Sequence, residues 1–303
     1  MAGNALISLL PKVGCMKRIL IQLDTDPIPS IFDRIVAVDS GVEELFSIGG
    51  VTPENVVSLV HGAIFTRSPK ELLNTAIFIG GSDVQAAEKV FQKVQQTFLG
   101  PLRVSVMLDA NGSGTTAAAA VRSAAQHIPL MNAEALVLGG TGPVGQRSAE
   151  ILAAQGTKVR IASRNPQRAE ATAAQIRKTV EEASVTPCDS SDEGLAAAVD
   201  GVSLIISAGA AGVQFLKATE WQEIESLKVA IDLNAVPPLG LEGIEASDAG
   251  VERQGIVCYG ALGVGKLKMQ VHLAAIQKLF TANDHVLDTT SIYALSDEVR
   301  KAQ

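Results

Sequence analysis

Cysteine is scarce in this chain. Its 303 residues hold three, Cys15, Cys188 and Cys258, far apart and odd in number. That argues against a disulfide framework and against paired-cysteine metal spacing. The four histidines, His61, His127, His272 and His285, are as scattered, and no metal site is expected from their spacing. Aromatic residues make up only 4%, and they do not interleave with clustered Lys and Arg. With a formal net charge of −7, a nucleic-acid partner is not expected. No apolar run approaches the roughly 20 residues of a membrane-spanning helix. Residues 1–15, "MAGNALISLLPKVGC", lack the basic start of a secretory signal. They are expected to be a disordered leader of little structural weight, with Met16 opening the folded chain. These absences together lead us to expect a cytoplasmic protein without a membrane anchor.

What the chain has is aliphatic and small. Hydrophobic residues supply 47%, much of it alanine, a composition suited to tight helix–sheet packing. Runs rich in Ile, Val and Leu alternate with helical patterns, which predicts an α/β fold with covered parallel sheets. Strands are expected at 18–23, 75–79, 102–108, 134–138, 158–162, 203–206 and 228–232, with a short one at 184–186. Helices are expected near 29–38, 53–64, 83–97, 265–280 and 289–301, and "DANGSGTT" (109–116) opens a long Ala-rich helix to about 126. The proline in "QHIPLMN" (126–132) breaks a helix. It places a domain junction there, giving α/β domains over 16–130 and 131–303.

The most specific local pattern is "LVLGGTGPVGQRSAEILAAQGTKVRIASRN". Gly140, Gly142 and Gly145 form G-x-G-x-x-G between a strand and a helix, within a βαβ unit. This is the dinucleotide-binding arrangement: a tight turn, a close approach to pyrophosphate, and close helix–strand packing. Thr141, Pro143 and Val144 complete the turn, whose helix-start amides suit an anion. Where NAD sites carry an acid to hold the ribose 2′-hydroxyl, this chain has Ser163, Arg164 and Asn165, with Arg168 a turn later. An arginine fork pairs with a 2′-phosphate, so NADP is favoured and NAD is the weaker alternative. Ser207, Ala208 and Gly209 end a strand in small residues and are candidate cofactor-lining positions, as is Asn234.

Polar residues gather at other strand ends. Asp24 and Asp26 follow the first strand, and Asp109, Asn111 and Thr115 follow the third. In open α/β sheets such ends are where ligands bind, but Asp, Asn and Thr also cap helices, and both readings stay open. No Y-x-x-x-K pair is present: Gly-Ala-Leu-Gly follows Tyr259 and Ala-Leu-Ser-Asp follows Tyr293. A hydride donor that yields a resonance-stabilised cation needs no proton abstraction, only alignment of two carbons. Lys268 is the cation expected at such a site, or else it lies on the surface.

Several stretches together resemble the bacterial NAD(P)-dependent methylene-tetrahydromethanopterin dehydrogenases, some of which also act on methylene-tetrahydrofolate. They are "LIQLDTDPIPSIFD" (20–33), "GGVTPENV" (49–56), "TAIFIGGSD" (75–83), "GPLRVSVMLDANGSGTTAAA" (100–119), "GGTGPVGQRSA" (139–149), "SAGAAG" (207–212), "NAVPPLGLEGI" (234–244) and "YGALGVGKLKMQVH" (259–272). The resemblance implies a pterin-binding α/β domain, a Rossmann NADP-binding domain, and an active site in the cleft between them. It implies direct hydride transfer from the pterin-bound methylene carbon to the nicotinamide, and a homo-oligomer, expected to be a trimer. The family's pterin-side lysine falls on Lys268. Lys266, where the pattern has glycine, is the alternative. A shikimate-type dehydrogenase would show N-V-T-x-P-x-K, which "GVTPENV" does not match. A non-enzymatic NADPH-binding module is the remaining alternative.

Overall fold

A computed structural model describes residues 16–301, so the expected leader at 1–15 lies outside the described residues. The chain divides into two units, residues 1–108 with 275–287 and residues 109–274 with 288–303.

The first unit is built on a five-stranded parallel sheet in the order β12-β4-β3-β1-β2. Its strands are β1 (Ile19–Asp24), β2 (Glu44–Ile48), β3 (Thr75–Gly80), β4 (Ser105–Leu108) and β12 (Val286–Leu287). Every residue of β3 is buried, as expected for a central strand of a parallel sheet with both faces covered. Ile77, Phe78 and Ile79 are each no more than 1% exposed. Each contributes about 1.5–3 kcal/mol by leaving water. The helices are α1 (Ile31–Asp39), α2 (Val56–Ile64) and α3 (Val84–Thr97). Ser30 and Asp83 cap α1 and α3 by accepting the amides of Asp33 and Ala86, satisfying donors that a helix start leaves bare.

The second unit carries a seven-stranded sheet in the order β10-β11-β9-β8-β5-β6-β7. All its pairings are parallel except β10 with β11. The strands are β5 (Glu134–Leu138), β6 (Lys158–Ser163), β7 (Val185–Asp189), β8 (Leu204–Ser207), β9 (Val229–Asp232), β10 (Ala249–Arg253) and β11 (Ile256–Gly260). The helices are α4 (Ser113–Ala124), α5 (Pro143–Ala154), α6 (Pro166–Thr179), α7 (Asp192–Ala198), α8 (Ala218–Trp221), α9 (Ala261–Lys278) and α10 (Thr289–Lys301). The order in which strands are added switches sides at β5, which pairs with β6 on one side and β8 on the other. The crevice beyond the carboxyl ends of these strands is where this architecture takes its ligands.

The units divide at 108/109, not at the proline near 130. Helix α4 packs on α5 and α10 and so belongs with the second sheet. The chain also returns to the first sheet, where β12 pairs with β4. Four strands escaped the sequence reading: β2, β10, β11 and β12. The predicted strand at 102–108 is shorter in the structure, because Leu102 bonds back to Leu99 in a turn.

Candidate active site

The glycine turn is held by contacts that exclude side chains. After β5, Gly139 takes a left-handed φ of +66°, and a Cβ there would stand 2.7 Å from Gly209. A Cβ on Gly140 would meet Ile161 at 2.6 Å, and one on Gly145 would meet the Gly139 carbonyl at 2.5 Å. Gly142 differs. A Cβ there would meet only the Gly139 oxygen at 3.3 Å and the Ala208 oxygen at 3.7 Å. Packing inside the protein therefore demands glycine at 139, 140 and 145 but not at 142. A ligand approaching the start of α5 explains the fourth. Pro143 opens α5 with its φ preset and no amide to lose. The Gln146 side chain donates to the Thr141 carbonyl at 2.8 Å and braces the turn. Val144, half-buried, follows Pro143 in the first turn.

At the end of β6 the Ser163 hydroxyl lies 3.3 Å from that of Thr141 and accepts the Asn165 amide at 3.2 Å. Asn165 caps α6 by accepting the Arg168 amide at 2.9 Å. Arg164 and Arg168 are exposed. The acid closest in register, Asp189 at the end of β7, is occupied by the Ser191 hydroxyl at 2.6 Å. Arg164, Arg168 and the Ser163 hydroxyl are groups that fit a phosphate, while the Ser191 hydrogen bond holds the Asp189 carboxyl below the usual range.

Ser207, Ala208 and Gly209 stand at the end of β8 beside the turn, and the Ala208 amide donates to the Leu138 carbonyl. A side chain on Gly209 would strike the Phe215 ring. At the end of β9, Asp232 accepts the amides of Asn234 and Leu241 at 3.1 and 2.9 Å. Burial nevertheless raises its carboxyl above the usual range. Asn234 accepts the Val236 amide at 3.0 Å and donates to the Pro238 carbonyl at 3.2 Å. Its side chain shapes the loop with the cis Pro237–Pro238 bond.

The most unusual chemistry in the second unit surrounds Asp109. Asn111 and Gly112 adopt left-handed φ values of 55° and 59°, turning the chain tightly into α4. Asp109, 1% exposed, accepts the Thr115 amide at 3.0 Å and the Thr115 hydroxyl at 2.7 Å. Thr115 thus serves the aspartate and the helix start, and Asn111 is exposed. Two cationic or titratable side chains of α9 come to the same place. Lys268, 8% exposed, lies over Gly112, its Nζ 3.7 Å from where a Cβ would stand. His272 Nδ1 is 3.3 Å from Lys268 Nζ and 4.0 Å from an Asp109 carboxylate oxygen. Burial, aided by the lysine charge and opposed by Asp109, pushes the His272 imidazole down to about 4. Lys266 is exposed, so of the two lysines only Lys268 joins this group. Sequence reasoning passed over His272 and Gly139. The i, i+4 spacing of Lys268 and His272, which puts both on one face of a helix, was the available signal for His272. The doubled glycine after β5 was the signal for Gly139.

In the first unit, Asp24 accepts the amides of Asp26 and Ser30 at 2.9 and 3.0 Å. Asp26 accepts the Ser82 amide and hydroxyl at 2.9 and 2.8 Å. Asp24 closes its own loop, and Asp26 ties that loop to the one after β3. No helix among the described residues is long and apolar enough to cross a membrane.

A parallel sheet with a glycine turn at the point where its strand order switches, leading into a helix start, defines a dinucleotide-binding α/β protein of the Rossmann dehydrogenase class. Solved structures share the fold. Shikimate 5-dehydrogenase from Listeria monocytogenes aligns with a TM-score of 0.52 at 14% identity, covering 97% of this chain and 99% of that one. Quinate dehydrogenase from Corynebacterium glutamicum aligns with a TM-score of 0.51 at 13% identity, covering 95% and 99%. Two family profiles match: methylene-tetrahydromethanopterin dehydrogenase, N-terminal, over residues 31–111, and NAD(P)H-binding over 139–283. Bifunctional protein MdtA of Methylorubrum extorquens is 44% identical over 93% of this chain and 99% of its own length. The NAD(P)-dependent methylenetetrahydromethanopterin dehydrogenase of the same organism is 32% identical over 89% and 94%. The chain belongs to the family of NAD(P)-dependent methylenetetrahydromethanopterin dehydrogenases.

Proposed function

We propose that this protein oxidises methylene-tetrahydromethanopterin, or methylene-tetrahydrofolate, to the methenyl pterin with NADP as acceptor. The observation that carries the reading is the glycine turn of a dinucleotide site, intact in a chain of this family. Hydride leaves the methylene carbon with its electron pair, and the nicotinamide takes it up. The product is a methenyl cation, so charge balances without a proton released. The site consequently needs no base, and its work is alignment.

Each part of the chain contributes to that alignment. The turn of Gly140, Thr141, Gly142, Pro143, Val144 and Gly145 cradles the pyrophosphate: the glycines and Pro143 shape the backbone, and amides at the start of α5, such as that of Val144, donate to it. Ser163, Arg164 and Arg168 take the 2′-phosphate and set the preference for NADP over NAD. Ser207, Ala208, Gly209 and Asn234 line the nicotinamide half. Lys268 meets a polar atom of the pterin, Thr115 fixes Asp109 beside His272, and Asn111 borders the group. In the first unit, the loop held by Asp24 and Asp26 is the pterin-facing candidate.

The protein acts in the cytoplasm as a homotrimer. Helix α1 supports the assembly: Ile31, Ile35 and Val38, at i, i+4 and i+7, are 60%, 57% and 60% exposed, and Ile28 just before it is 80% exposed. A stripe of that kind is characteristic of a protein–protein surface. The test of the activity is spectrophotometric, using methylene derivatives of both pterins with both nicotinamides. NADP reduction coupled to methenyl formation is expected. Absence of NADPH formation with either pterin would refute the reading.

A further inference from the structure

His272 lies one turn beyond Lys268 on α9 and is 0% exposed. A buried imidazole is costly to place unless it serves packing or a polar partner. Here the partner is defined by distance: Nδ1 is 3.3 Å from Lys268 Nζ. We propose that His272 is a positioning residue, a neutral imidazole in its Nε2–H tautomer whose Nδ1 accepts a hydrogen bond from the Lys268 ammonium and fixes it above Gly112. The inference rests on Lys268 being the group that meets the pterin.

The tautomer follows from hydrogen-bond chemistry. An ammonium group only donates, so the nitrogen facing it must offer a lone pair, and the ring proton must sit on Nε2. Asp109 does not compete for that nitrogen. Its nearest oxygen is 4.0 Å away, too long for a hydrogen bond, and accepts the Thr115 hydroxyl instead. The aspartate is thus held by Thr115, and the lysine's direction is set by the histidine. The charged groups that act on the ring include Asp109 from the loop after β4 and Lys268 from α9 itself. Burial keeps the imidazole neutral down to about pH 4, so Nδ1 stays an acceptor through the working range. The glycine beneath completes the arrangement. A Cβ at position 112 would enter ordinary contact with the lysine tip, in a backbone conformation that side chains rarely adopt.

The test uses three variants of the full chain and one measurement on the unaltered protein. His272→Leu removes the acceptor at similar volume, and His272→Asn restores an acceptor close to the Nδ1 position. For His272→Leu the expected result is a kcat lowered by about tenfold to a hundredfold, with NADP affinity unchanged and folding verified by thermal melting. For His272→Asn we expect kcat to recover to within about threefold of wild type, a rescue that a packing role would not produce. Nitrogen-15 NMR of the wild-type protein at pH 7 should find His272 neutral, protonated at Nε2 alone. A doubly protonated ring or an Nδ1–H tautomer overturns the proposal, whether or not the variants fold. So do wild-type kinetics in His272→Leu alongside a defective Lys268→Ala, an outcome that leaves the reading of Lys268 standing. Wild-type kinetics in Lys268→Ala instead remove that reading, and this proposal with it.

Discussion

Asp24 and Asp109 each end a strand, one in the first unit and one closing it into the second, and each is 1% exposed. Both accept two hydrogen bonds within six residues in sequence. Their surroundings differ. The bonds of Asp24 go to the amides of its own loop, and folding that loop is a sufficient reason for its presence. Asp109 has in addition a buried histidine from a helix about 160 residues away in sequence, and that histidine contacts a buried lysine. Closing one turn does not require such neighbours, and desolvating three polar groups together is expensive. A strand-end carboxylate is thus ambiguous by itself. The long-range partners distinguish Asp109 from a loop tie.

Variants can break this comparison, and Lys268→Ala should have the largest effect. A fall in kcat of about a hundredfold is expected, because slight misplacement of the reacting carbons is that costly. NADP affinity measured by titration should stay near wild type. If only KM rises, the lysine contributes uniform binding and not alignment. Next in size is Arg164→Asp, which exchanges an attraction for a repulsion at the 2′-phosphate. Steady-state kinetics should record a loss of about 2–4 kcal/mol with NADP while activity with NAD survives. Unchanged NADP kinetics would exclude Arg164 from the cofactor site.

The pair Asp109→Asn and Asp24→Asn tests the contrast itself. Asp109→Asn should lower kcat at least about tenfold, since the charge beside His272, which holds Lys268, is lost. Asp24→Asn should change kcat less than that and instead lower unfolding stability by about 1–3 kcal/mol. Equal kinetic damage in the two variants would erase the distinction drawn here.

An effect of similar size is expected from His272 and pH. An unfolded histidine protonates near pH 6.5, whereas this one resists down to about 4 when folded. Between those values the unfolded chain binds the extra proton, so stability falls as pH falls. The contribution of His272 is complete above pH 6.5. About 2 kcal/mol of it should be lost between pH 7 and pH 5. Denaturant titrations of wild type and His272→Asn at the two pH values isolate it, and identical pH slopes would contradict the burial argument.

The central strands were legible because parallel strands covered on both faces read as continuous apolar runs; β3 and β5 are examples. The missed strands lie at edges or are minimal. β2 mixes Glu44 and Ser47 among its apolar residues and is only partly buried. β12 is two residues long. The β10–β11 hairpin turns on Gln254 and Gly255, with φ of 51° and 80°. That is the positive-φ pair which strand twist favours, but glutamine is not the residue that usually announces it. The same contrast holds for the site. The cofactor turn is local in sequence and its glycines speak for themselves. The Asp109–Lys268–His272 group is assembled by tertiary packing, and only the i, i+4 spacing within α9 carried any trace of it. The domain boundary was misplaced for a related reason. The proline after α4 marks the helix end, whereas α4 already packs with the second sheet.

Direct passage of hydride from the pterin-bound methylene carbon to NADP is open to an isotope test. The most direct measurement uses methylene-tetrahydromethanopterin and methylene-tetrahydrofolate deuterated at that carbon, turned over in ordinary water with NADP. The account predicts that deuterium appears on the nicotinamide ring of NADPH in step with methenyl product, and that unlabelled substrate in heavy water gives unlabelled NADPH. Deuterium lost to solvent, or NADPH labelled from heavy water, would contradict it.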